Sequence, residues 1–149
     1  MMRPSQGSAA MKLKKGIKEL VAEAEAVIET MTVDEVKAEL ADPKVQLIDI
    51  RDVRELWRDG GIPGAYHAPR GLLEFWVDPD SPYHRELFAS GRKFIFFCAG
   101  GLRSALAAKT VHEMGLAPVA HMAGGFGAWV KAGGAVEKKE PPPPKPQAA

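Results

Sequence analysis

The residues best suited to chemistry in this sequence are a single cysteine and the short run that follows it. Cys98 precedes the run Ala-Gly-Gly-Leu-Arg at 99–103. The apolar residues at 93–97 predict a buried strand, and ligands of open α/β sheets bind beyond the carboxyl ends of the strands. The sequence therefore predicts a functional thiol at one edge of a sheet.

Three features of the run favour the thiolate form of Cys98. A helix is predicted directly after the run, and its free N–H groups stabilise negative charge. Gly100 and Gly101 lack a Cβ, so the chain can curl with its amides pointing inward as an anion-binding nest. Arg103 adds a cation that either braces the loop carbonyls or binds an anionic substrate. We expect an anionic, exposed nucleophile rather than the buried apolar residue that a free cysteine often is.

Composition excludes several other classes of function. The chain has 149 residues with 20 Lys+Arg against 19 Asp+Glu, and a formal charge of +1 argues against a general nucleic-acid binder. A single cysteine excludes an intramolecular disulfide and the zinc sites built from several cysteines, so we expect no metal. No run approaches the ~20 apolar residues that cross a bilayer, and no secretory signal is evident. We expect a soluble, cytoplasmic protein without nucleic-acid or membrane partners.

Strand and helix patterns alternate along the chain and predict an α/β fold. Alternation of this kind implies right-handed crossovers, a parallel sheet and helices on both of its faces. Strands are predicted at 45–50, 93–97 and 118–121, and helices at 33–41, 53–58, 104–114 and 126–131, with weaker helices at 71–76 and 82–89.

The two ends of the chain differ from this central region. Apolar residues at helical spacing predict an amphipathic helix within 15–30, which either covers the domain's own core or meets a second copy in a homodimer. Residues 1–14 and the proline-rich residues 137–149 are predicted to be disordered. This leaves one folded domain at 31–136.

Three blocks of sequence, in order, resemble the rhodanese-like family of sulfurtransferase domains. Residues 47–51 with 61–65 resemble its Asp-x-Arg strand end and Gly-His-Ile-Pro-Gly-Ala turn. Residues 98–104 resemble its Cys-x-x-Gly-x-Arg-Ser loop, and residues 124–129 its Gly-Gly-x-x-x-Trp block. Gly61 stands where the family usually has His, so we expect altered packing there. Ala99 replaces a basic residue frequent in members with strong thiosulfate activity, which predicts that thiosulfate is a poor or surrogate donor.

The resemblance implies a fold with about five parallel strands and a double-displacement reaction. The Cys98 thiolate would take the outer sulfur of a small anionic donor as a persulfide, and a nucleophilic acceptor would remove it, with no cofactor. Asp49 and Arg51 would brace the active loop, and Arg70 would either reach the rim of the pocket or lie solvated on the surface. No histidine has a local partner pattern, so we expect no histidine general base. The implied substrate-binding residues are Ala99, Gly100, Gly101, Leu102, Arg103 and Ser104.

Two other functions remain as alternatives. A phosphatase or arsenate reductase also uses a cysteine thiolate in a loop closed by arginine, but its loop is one residue longer than the four residues between Cys98 and Arg103. A non-catalytic or regulatory rhodanese-like module would bind partners through the N-terminal helix or the proline-rich tail. Inactive members of the family commonly lack the cysteine, so Cys98 favours the enzyme.

Overall fold

The computed structural model describes residues 11–146 and confirms the predicted α/β fold. In this part of the chain a five-stranded parallel sheet has the order β1-β5-β4-β2-β3. The predictions for residues 1–10 and 147–149 lie outside the described residues. The strands are β1 Glu29–Met31, β2 Val45–Asp49, β3 Tyr66–His67, β4 Lys93–Phe97 and β5 Val119–Met122.

Helices flank this sheet, and apolar clusters fill both of its faces. Phe94 and Phe96 of β4 belong to one cluster, whereas Ile95 and Phe97 belong to the other. This alternation follows from the strand geometry, because successive side chains point to opposite faces. The α-helices are α1 Ile17–Val27, α2 Val33–Glu39, α3 Val53–Asp59, α4 Leu73–Val77, α5 Leu102–Glu113 and α6 Gly125–Lys131, and 3₁₀ turns span Arg70–Leu72 and Glu86–Ala89.

The main differences from the sequence prediction concern short elements. Strands β1 and β3 were not predicted, because two or three residues are too few to show a period. The helix predicted at 82–89 is only the 3₁₀ turn Glu86–Ala89. Helix α5 begins at Leu102, two residues before the predicted start, because Gly101 adopts a left-handed conformation at the N-cap with φ of 98°.

Helix α1 packs on helix α5 of the same chain. Val21 and Ala24 are buried in a cluster with Ala105, against which Leu106 also packs. The helix thus covers part of its own domain, as one of the two sequence alternatives predicts. Its remaining apolar residues, Ile17, Leu20 and Val27, are exposed. A homodimer through this helix stays a prediction.

The segment after α6 returns to the turn that follows α3. Glu137, the first residue of the predicted tail, forms an antiparallel bridge with Gly61 through bonds of 2.9 and 2.8 Å. A Cβ added to Gly61 would lie 3.1 Å from the side chain of Lys139. The C-terminal segment therefore packs on Gly61, where the sequence analysis expects altered packing. Among the described residues, no helix is both long and apolar enough to cross a membrane.

Candidate active site

Cys98 follows the last residue of β4 and is only 1% exposed. The prediction of an exposed sulfur is therefore wrong. Burial follows from the way the loop packs on α6, because Phe126 N–H donates to the Cys98 carbonyl (2.8 Å) and Gly127 N–H to that of Ala99 (3.0 Å). A Cβ on Gly125, whose φ is 59°, would collide with the same two carbonyl groups. Glycine at this position thus lets the loop close over the sulfur.

The sulfur of Cys98 has two polar neighbours from the predicted loop. Gly101 N–H donates to Sγ at 3.2 Å, and Ser104 Oγ lies 3.6 Å from Sγ. Of the other predicted substrate-binding residues, Ala99, Gly100 and Leu102 are exposed. The sulfur thus has both a backbone amide and a hydroxyl within bonding distance.

Arg103 is paired with a residue that the sequence analysis did not single out. Its guanidinium donates two hydrogen bonds, of 2.8 and 3.0 Å, to the Glu55 carboxylate. These bonds hold the pKa of Glu55 below its ordinary value and that of Arg103 above it. The thiol of Cys98 is a further, smaller cause of the raised pKa of Arg103. Glu55 lies 48 residues away along the chain, so no local spacing indicated this pair.

Asp49 and Arg51 form a buried pair beside the loop. Arg51 Nη2 lies 2.7 Å from Asp49 Oδ2 and donates to the Gly60 carbonyl at 2.8 Å. The guanidinium also stacks 4.2 Å above the ring of Phe126. Because Ile50 N–H donates to the Phe97 carbonyl (3.0 Å), this pair adjoins the end of β4 that carries Cys98.

Arg70 bonds away from the active loop. Its guanidinium lies 2.7 Å from a Glu74 carboxylate oxygen and 3.5 Å from Thr110 Oγ1. Thr110 lies in the second half of α5, whereas the loop adjoins the first turn of that helix. The structure thus places Arg70 between α4 and α5 and gives it no bond to residues 98–104.

A second set of side chains that the sequence did not predict is connected to the sulfur through Ser104. His121 in β5 is fully buried; its Nδ1 lies 3.0 Å from Ser104 Oγ, and its Nε2 lies 3.0 Å from Glu25 Oε2 in α1. Burial lowers the pKa of His121, and the Glu25 carboxylate offsets part of this effect. Residues 25, 104 and 121 come from three separate elements, which is why the sequence showed no partner for the histidine.

An open cleft of about 270 Å³ borders the active loop on the side of α1. Leu102 from the loop and Ile17, Val21 and Ala22 from α1 supply its apolar wall, with Lys18 and Glu25 as charged members. Within residues 11–146, no group of three or more His, Cys, Asp or Glu side chains is arranged to hold a metal ion.

Known proteins resemble this chain in sequence and in fold. The sequence model of the Rhodanese-like domain family matches residues 32–132. The mouse thiosulfate sulfurtransferase/rhodanese-like domain-containing protein 3 is 30% identical over 115 residues, which cover 74% of this chain and 73% of that protein.

Two solved structures extend the comparison. A Rhodopseudomonas palustris protein, described as of unknown function and a possible tyrosine phosphatase, is 53% identical with a TM-score of 0.82 and covers 85% of this chain and 98% of that one. Thiosulfate sulfurtransferase from Pseudomonas aeruginosa is 28% identical with a TM-score of 0.68, covering 82% of this chain but 22% of that one.

Proposed function

Because the chain belongs to the rhodanese-like domain family, we propose that it is a sulfurtransferase that carries sulfur as a persulfide on Cys98. The observation that carries this proposal is the bond from Gly101 N–H to Cys98 Sγ at the end of β4. A backbone amide aimed at a buried sulfur stabilises negative charge there without any rearrangement during reaction. Covalent catalysis divides one difficult transfer into two easier ones.

In the first step the Cys98 thiolate attacks the outer sulfur of the donor. With thiosulfate, the new S–S bond forms as the donor's S–S bond breaks, and sulfite leaves with the electron pair. In the second step a nucleophile such as cyanide or a thiolate attacks the terminal sulfur, and Cys98 leaves as a thiolate. In each step one bond to the transferred sulfur breaks as another forms, and no external electrons are supplied or removed, so neither a metal nor a redox cofactor is needed.

Arg103 is the cation available to attract an anionic donor to the rim of the loop. It is 43% exposed along its side chain, but Glu55 already holds it through two hydrogen bonds. An incoming anion must compete with that carboxylate. Together with Ala99 in place of a basic residue, this competition supports a weak response to thiosulfate and a preference for another sulfane donor.

Intact-mass measurement tests the proposal directly. The protein is incubated with thiosulfate or mercaptopyruvate, and we expect a mass gain of one sulfur atom that cyanide removes as thiocyanate. The Cys98→Ser variant should show neither the gain nor the turnover. Sulfur loading by this variant would contradict the assignment, and no loading of the wild type by any donor would favour the non-catalytic module.

Phosphoryl transfer is the second candidate, since the related Rhodopseudomonas palustris structure is described as a possible tyrosine phosphatase. Gly101 caps α5 directly, so the helix begins four residues after Cys98 and the loop is short. A short ring of amides fits a single sulfur atom better than a tetrahedral phosphate. Release of phosphate from an aryl phosphate that is lost in Cys98→Ser would reverse this preference.

A further inference from the structure

We propose that Ser104, His121 and Glu25 form a proton relay that moves the proton of the buried Cys98 thiol onto His121, where the Glu25 carboxylate at the cleft beside α1 stabilises it. The inference rests on the proposed function, because it concerns how that cysteine becomes a nucleophile. Ser104 touches the reacting sulfur, whereas His121 and Glu25 act through it as positioning residues. The contacts run from Sγ to Ser104 Oγ (3.6 Å), then to His121 Nδ1 (3.0 Å), and from His121 Nε2 to Glu25 Oε2 (3.0 Å).

The burial of Cys98 creates the need for such a route. The residue is 1% exposed and Ser104 and His121 are fully buried, so the thiol proton has little direct access to water. The Glu25 side chain, by contrast, is 41% exposed and lines the open cleft. The chain of contacts therefore leads from a closed site to solvent.

The charge on Glu25 fixes the direction of the hydrogen bonds. A neutral imidazole carries one N–H, and a carboxylate accepts but does not donate. With Glu25 ionised, Nε2 of His121 carries the proton, and Nδ1 is left as an acceptor. Ser104 then donates its hydroxyl proton to Nδ1 and turns its lone pairs toward Cys98, which lets it accept the S–H.

Proton transfer along this chain is balanced. The S–H bond breaks and its electron pair stays on sulfur, while the proton moves to Ser104 Oγ as the original hydroxyl proton of Ser104 moves to His121 Nδ1. The result is a thiolate and an imidazolium that faces the Glu25 carboxylate. His121 then donates from Nδ1 to Ser104, and the Ser104 hydroxyl turns to donate to the thiolate.

The surroundings of His121 suit a proton acceptor. Burial lowers the pKa of His121, which favours the neutral form, and Glu25 stabilises the charged form when it appears. In the sheet it is paired with Thr30 of β1 and Phe96 of β4, neither of which is charged. Lys18 lines the cleft with Glu25, and Arg103, which precedes Ser104 on α5, is bonded to Glu55.

Absorbance of the thiolate in the ultraviolet provides a test that does not depend on sulfur transfer. Cys98 is the only cysteine in the chain, so the difference between wild type and Cys98→Ser reports this thiol alone. The titration is compared among wild type, Glu25→Gln, His121→Asn and the control Glu23→Gln. Glu23 lies on the same helix, is 42% exposed and pairs with Lys15 at the surface.

We expect the thiolate fraction near neutral pH to fall about tenfold in Glu25→Gln and His121→Asn, which is ~1.4 kcal/mol. The asparagine side chain of the second variant can still accept a hydrogen bond from Ser104 but cannot take its proton. Glu23→Gln should titrate like the wild type. Glu25 is partly exposed, and its variant decides the question if His121→Asn does not fold.

Identical titration of Glu25→Gln and Glu23→Gln would overturn the relay, as would a wild type that forms its thiolate only at strongly alkaline pH. Nitrogen NMR of His121 gives an independent readout, with the proton expected on Nε2 in the thiol state. The experiments distinguish failure of the relay from failure of the proposed function. A wild type that gains sulfur while the variants titrate alike loses only the relay, whereas a wild type that gains no sulfur loses the function.

Discussion

The carboxyl ends of β2 and β4 lie side by side, and an arginine follows each of them in a different state. Arg51, after β2, has a side chain 1% exposed and bonded to Asp49, the Gly60 carbonyl and the face of Phe126. Arg103, after β4, is 43% exposed and bonded to Glu55. The two arginines at this edge of the sheet thus differ in both exposure and bonding partners.

The difference lies in what each guanidinium could still bind. Arg51 is enclosed, and its bonds to carboxylate and carbonyl leave no room for a ligand. Arg103 lies at the rim and can exchange the Glu55 carboxylate for another anion. We therefore expect changes at Arg51 to affect stability first and changes at Arg103 to affect sulfur transfer first.

Arg51→Ala should produce the largest loss of stability. It leaves the buried Asp49 carboxylate without its partner, and removal of one member of a buried pair costs about 3–5 kcal/mol. Urea denaturation measures this change. The matched control is Arg54→Ala, whose side chain is 79% exposed and whose loss should leave the midpoint close to that of the wild type. Equal urea midpoints for the two variants would contradict the structural role that we assign to Arg51.

Gly101→Ala should affect both the loop and the reaction. Gly101 has φ of 98°, and an added Cβ would lie 3.0 Å from Gly124 N. We expect the variant to lower the free energy of unfolding by about 1–2 kcal/mol and to displace the Gly101 amide from Sγ. Persulfide formation should slow by about 100-fold, the lower end of the usual effect of losing one such donor. Rapid-quench mass spectrometry follows the loading rate. Gly115→Ala at the end of α5 is the control, because its φ of 103° imposes similar strain and its Cβ would meet nothing within 4 Å.

Arg103→Ala should slow loading from an anionic donor by about tenfold while the free energy of unfolding stays within ~0.5 kcal/mol. The reason is its exposed position at the rim and its replaceable partner. Arg58→Ala serves as the control, since Arg58 forms an exposed pair with Asp59. A large loss of stability in Arg103→Ala would show that this arginine is structural like Arg51.

Acid should weaken the Arg103–Glu55 pair, with the smallest effect of the series. The pKa of Glu55 is lowered because Arg103 bonds to its carboxylate. The stabilisation from the pair is therefore complete above the ordinary glutamate pKa of 4.5, and it is lost as the pH falls through the lowered pKa. Glu55→Gln should therefore be less stable than wild type by under about 1 kcal/mol near neutral pH. Denaturation at a series of pH values should show the two converging in acid.

The sequence predicts the fold well where its elements are long or strongly patterned. Residues 93–97 are uniformly large and apolar after the first, and Thr32 and Glu35 form the predicted capping box. Strands β1 and β3 escape prediction because their pairing with β5 and β2 defines them, and that pairing is not local. The same holds for the start of α5, which depends on the left-handed turn at Gly101.

In the active site, too, the contiguous residues could be predicted and the residues brought together by packing could not. Residues 98–104 are contiguous, so their glycines, arginine and serine could be read directly around the cysteine. Glu55, Glu25 and His121 reach this loop only through the packing of α3, α1 and β5. Burial of Cys98 likewise depends on α6, whose first-turn amides bind the loop carbonyls.

The two edges of the sheet are also its shortest strands, β1 with three residues and β3 with two. Long unpaired edges act as templates on which other chains add strands and aggregate. Edges this brief offer few free amides to an incoming chain. We therefore expect resistance to strand-to-strand association even in concentrated solution, where the longer central strands stay enclosed by their neighbours.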